Sequence, residues 1–154
     1  MYIALKILHV AAVVIFLGNI TTGIFWKMHG DRTRDPRIVR HTLAGIIAAD
    51  TWFTIPSVVL ILVGGIGAAI VGGLPLLRTS WILAGIILFT ISGIAFMARL
   101  VPLQRQMLQL ARSGEETGSF DWTRYHALSR QWNIWGTVAL VTPVLALIGM
   151  IAKP

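Results

Sequence analysis

The chain has no cysteine, so disulfide frameworks, thiolate metal centres, iron–sulfur clusters and thiol redox cycles are excluded. Any redox chemistry would need a bound cofactor. Charge is scarce as well. Only 12% of the 154 residues are Asp, Glu, Lys or Arg, against roughly 25% in an average soluble domain. What remains is 56% hydrophobic, and it is gathered into blocks: residues 7–26, 51–71, 81–98 and 134–152 contain no Asp, Glu, Lys or Arg at all. At about 1.5 Å per residue, each block is long enough to cross a hydrocarbon layer roughly 30 Å thick. The expectation is an all-α protein, a single-domain transmembrane four-helix bundle with spans over about 4–26, 42–72, 80–100 and 131–152. The first block is too long for the apolar core of a signal peptide, and "GNITTG" offers no small-residue cleavage site at its end.

The basic residues set an orientation. Ten of the thirteen lie in two connections: Lys27, Arg32, Arg34, Arg37 and Arg40 in the first, and Arg99, Arg105, Arg112, Arg124 and Arg130 in the third. The positive-inside rule puts those connections in the cytoplasm and both termini outside. It also accounts for the net charge of +7, which would otherwise suggest nucleic acid; no nucleic-acid partner is expected. In "LQRQMLQLARSG", Leu103, Met107, Leu110 and Ala111 recur at helical spacing between arginines. The third span should therefore continue past Pro102 as an amphipathic cytoplasmic helix, capped by Gly114. Ser119 or Asp121 can cap the helix that follows. Pro56 and Pro143 should bend their spans, and Trp81, Trp132 and Trp135 read as an interfacial aromatic belt.

Polar side chains inside the apolar blocks are few, and each needs a reason. Asp50 lies about 12 Å in from the cytoplasmic end of the second span, counted at 1.5 Å per residue. A carboxylate there should face the bundle and find partners, because insertion costs about 2.5–3.5 kcal/mol. Asn19 is at the same depth, and Arg99, Arg130 and Asn133 are close to the cytoplasmic ends of their spans. Together with Asp50 they form a candidate polar cluster, serving a proton path, a cofactor edge or helix assembly. His9 is the one histidine in the apolar part of a span, about 5–8 Å below the outer surface by the same count. A neutral imidazole in a helical bundle is a natural iron ligand. Lys6, one turn nearer the surface, could meet a haem propionate. Equally, His9 could pin two helices together and Lys6 could simply reach for the interface.

The stretches "LKILHVAAVVIFLGN", "AGIIAADTWFTIPSVVLILVGG", "ARLVPLQRQMLQLA", "SRQWN" and "IAKP" resemble the four-span bacterial membrane proteins related to HemJ-type protoporphyrinogen oxidase. They resemble still more their functionally uncharacterised relatives described only as predicted integral membrane proteins. The resemblance covers the layout of nearly the whole chain. It implies a bacterial inner-membrane location, haem b as cofactor and His9 as axial ligand, with a membrane redox partner. The essential lysine of the HemJ third span has no counterpart here, since no lysine lies between Lys27 and Lys153, so the resemblance does not extend to protoporphyrinogen oxidation. The copper-resistance CopD type shares the layout, but the membrane histidines and methionines of a copper(I) path are missing. The expected function is a haem-b-binding, redox-related membrane protein. The alternatives are a non-enzymatic accessory or structural protein, as a homodimer for instance, and a small proton-linked transporter using Asp50.

Overall fold

The computed structural model describes residues 1–153 and is all-helical, with no strand among them. Four long rods account for nearly all of it: α1 (Tyr2–Arg32), α2 (Pro36–Val71), α3 (Ser80–Thr117) and α4 (Trp122–Ala152). Each is long and apolar enough to cross a membrane. Local chemistry sets most of the ends. Asp35 caps α2, its carboxylate accepting from the Arg37 amide at 2.8 Å with Pro36 at the first helical position. Asp121 caps α4 in the same way, accepting from the Arg124 amide at 2.9 Å. The end of α3 differs from the sequence expectation. The cap is Gly118, at φ +68°, whereas Gly114 is inside the helix. Phe120 folds back over Gly114 so closely that an added Cβ would lie 2.5 Å from the ring. Left-handed backbone, not glycine as such, ends a helix.

Two rods are interrupted by a wider turn. Asp50–Thr54 in α2 and Phe96–Leu100 in α3 are π-helical, and each stands just before a proline, Pro56 or Pro102. A proline ring collides with the carbonyl four residues earlier and offers no N–H to it. Those carbonyls belong to Trp52 and Ala98, inside the two π turns. The widened turn removes the collision without breaking the rod. Pro143 meets the same problem differently. α4 stays α-helical, and the carbonyl of Ala139, four residues earlier, accepts the Ser92 hydroxyl of α3 at 2.8 Å.

The rods pair as two antiparallel hairpins. In the first, Tyr2 faces Gly72, Leu5 faces Gly67, His9 faces Gly64 and Gly65, and Gly30 faces Thr42. In the second, Met150 sits on Gly85, Ser92 on Ala139 and Phe120 on Gly114. The halves predicted to be cytoplasmic pack into one core around Val39, Leu43, Leu103, Met107, Ala111, Tyr125 and Trp132. The amphipathic extension predicted after the third span is thus present as Val101–Thr117, with Met107 and Ala111 completely buried. In the other half the hairpins part. The backbones of Ile55–Val71 and Ser80–Ala95 do not approach each other, and Phe16 touches Phe89 at 5.5 Å between ring centroids. Ile3, Ile7, Val10, Val14, Ile94 and Ile148 face outward. In water that surface would be untenable; in hydrocarbon it costs nothing.

Candidate functional site

Three polar places interrupt the apolar surroundings. The first is His9. Its Nδ1 lies 2.8 Å from the Ile61 carbonyl of α2. A carbonyl only accepts, so Nδ1 carries the proton and the lone pair is on Nε2. The ring presents its Nδ1–Cε1 edge to Gly65, where an added Cβ would be 2.9 Å from both atoms. At Gly64 an added Cβ would be 2.9 Å from the His9 backbone nitrogen. The two glycines are what allow α2 to approach this closely. Lys6 is exposed, beside Ile3, Ile7, Val10 and Ala11 on the outer face of α1.

The second place surrounds Asp50, which is 9% exposed. Its Oδ1 accepts from Asn19 Nδ2 of α1 at 3.1 Å and from Thr54 Oγ1 at 3.0 Å, and its Oδ2 accepts from Gln104 Nε2 of α3 at 2.9 Å. Asn19 Nδ2 also donates to Thr54 Oγ1 at 2.8 Å. Three rods meet at one carboxylate. Of the residues the sequence suggested here, Asn19 and Asp50 come together. Arg99, Arg130 and Asn133 do not: all three are exposed, and Arg99 lies over the Trp135 ring at 5.2 Å. Arg99 and Arg130 are long and cationic, and gain more from solvated positions on the outside of the bundle than from a buried one. Thr54 and Gln104 were missed. The signal for Thr54 was its place four residues after Asp50; Gln104 carried none beyond being a polar residue just past a proline.

The third place has no sequence precedent. Lys27, expected among loop cations, is 2% exposed. Its Nζ donates to Asp31 Oδ2 at 2.7 Å and to Ser129 Oγ at 2.6 Å, and lies 5.1 Å from the Trp132 ring and 5.6 Å from the Tyr125 ring. Tyr125 donates its phenolic proton to Asp31 Oδ1 at 2.5 Å. An ammonium this deep is tolerable only when paired and hydrogen-bonded. Trp132, 4% exposed, belongs to this core rather than to an interfacial belt. Its indole nitrogen is buried without a partner among the described residues. Trp81 and Trp135 are partly covered, with Lys153 over Trp81 at 5.7 Å.

Residues 3–154 match the model of a family described as "Predicted integral membrane protein (DUF2269)". The chain belongs to that family. Nothing matches it among the curated proteins or the solved structures. The family description carries the membrane assignment and no activity. Among the described residues, no group of three or more His, Asp or Glu stands close enough together to hold a metal ion. The polar places of this DUF2269 chain are a single imidazole and two small hydrogen-bonded clusters.

Proposed function

We propose that this DUF2269 protein is a haem-b-binding, redox-related component of the bacterial cytoplasmic membrane, oriented with both termini outside and with His9 supplying an axial nitrogen. The observation that carries the reading is the hydrogen bond from His9 to the Ile61 carbonyl. It fixes the ring and leaves the lone pair on Nε2, as an iron ligand held through its other ring nitrogen requires. A single axial bond needs no group of acidic or imidazole ligands, so the donor present fits. Haem, when bound, would supply one-electron chemistry. The chain supplies the donor, its orientation and apolar surroundings, and Lys6, near the outer end of α1, supplies a cation for a propionate. His29, His41 and His126 are exposed and outside the apolar blocks, so this chain offers one axial nitrogen within its spans. The partners in this reading are a membrane redox protein and a second copy of the chain.

Gly64 and Gly65 favour a second reading, in which the imidazole only pins α1 to α2. The separating experiment is His9→Ala, expressed with haem precursor and compared with wild type after haem reconstitution. Loss of the Soret band at unchanged protein yield is expected. A wild type that stays colourless after reconstitution, or a variant with an unchanged spectrum, overturns the haem reading.

A further inference from the structure

The Asp50 carboxylate has neutral partners only. Asn19, Thr54 and Gln104 donate to it, and the ion pairs among the described residues, Lys27 with Asp31 and Arg40 with Glu115, lie elsewhere. An ionised Asp50 would put one negative charge among three rods, largely out of water, with no cation among the described residues beside it. That is an expensive arrangement unless something cationic joins it.

We infer that Asp50, Thr54, Asn19 and Gln104 form a binding site for a monovalent cation, with sodium as the fitting species. The donor set is all oxygen once the amides turn: a half-turn of the Asn19 and Gln104 amides replaces each N–H by a carbonyl oxygen. The carboxylate and the Thr54 hydroxyl oxygen complete the set. Without a cation the N–H groups serve the carboxylate, as their 2.9 Å and 3.1 Å contacts do here. A single carboxylate matches a single positive charge. Calcium commonly takes several carboxylates, and softer metals want nitrogen or sulfur. The position also suits an ion: Asp50 and Thr54 begin and end a π turn. The turn brings the Thr54 hydroxyl within 3.0 Å of the Asp50 carboxylate, so two oxygens stand at one level. Gln104 lies four residues beyond the second π turn. An ion held here braces the level at which α2 and α3 both depart from regular helix. The inference is independent of His9 and of haem.

The test uses purified full-length protein in detergent, with thermal unfolding followed by circular dichroism in choline chloride and then in sodium chloride at constant ionic strength. The midpoint should rise by roughly 5–10 °C once sodium exceeds its dissociation constant about a hundredfold. Asp50→Asn, which keeps the side chain's shape, should remain helical and lose the response. Should that variant not fold, Thr54→Val takes its place and should need more sodium for the same rise. Equal wild-type midpoints in choline and sodium overturn the site, as does a folded Asp50→Asn, or in its place Thr54→Val, that responds like wild type. A midpoint that follows pH and ignores sodium makes this a proton site and equally overturns the inference.

Discussion

Ser92 and Pro143 can be tested as a unit. Pro143 leaves the Ala139 carbonyl without its helical donor, and Ser92 supplies one from the neighbouring rod at 2.8 Å. Ala139 is fully buried, so neither water nor lipid can serve that oxygen. Ser92→Ala should cost about 1–2 kcal/mol: a buried acceptor left unpaired costs about 1–3, while interhelical hydrogen bonds in membranes average nearer 0.6 and reach about 1.7. The folded-to-unfolded ratio should then drop roughly 5- to 30-fold. In Pro143→Ala the helix regains its own N–H, and the serine bond becomes redundant. On that background Ser92→Ala should cost only a few tenths of a kcal/mol, so the two substitutions couple by about 1 kcal/mol. Reversible unfolding in mixed micelles, followed by circular dichroism, measures all four corners of the cycle. Equal costs of Ser92→Ala on both backgrounds would refute the account, since the hydroxyl would then not be compensating the proline.

Lys27 and Asp31 should respond unequally to removal. Asp31→Leu strands a cation that is 2% exposed, whereas Lys27→Met leaves a carboxylate 26% exposed that water and Tyr125 still serve. The first should cost about 3–5 kcal/mol and the second about 1–3 in the same unfolding assay; the reverse order would mean that the buried ammonium does not dominate the pair. The orientation is checked with Ser113→Cys, on the exposed surface of the α3 extension that the arginines predict to be cytoplasmic. A membrane-impermeant thiol reagent should leave it unlabelled in intact cells and label it after permeabilisation. Labelling of intact cells would invert the topology argued from the arginines.

Length and hydropathy are local properties, which is why the four apolar rods and the amphipathic extension with Met107 and Ala111 inward could be read along the chain. Depth is nearly local too, because a helix converts residue number into height. That count alone sets Asn19 level with Asp50, and the two side chains meet at 3.1 Å. What the count cannot supply is azimuth. Arg99, Arg130 and Asn133 have suitable heights but point away from the bundle, while Gln104, beyond a π turn that shifts the helical phase, points in. Lys27 shows the same limit: its sequence neighbours mark a loop cation, and only the crossing of α1 with the start of α4 brings Ser129, Tyr125 and Trp132 around it. The Ser92 bond to Ala139 likewise joins residues 47 positions apart. Composition and periodicity therefore determined the solvent, the spans and the levels of the polar groups, whereas the rotation of each rod about its axis, fixed by close packing at glycines and by the turns before Pro56 and Pro102, decided which of those groups meet.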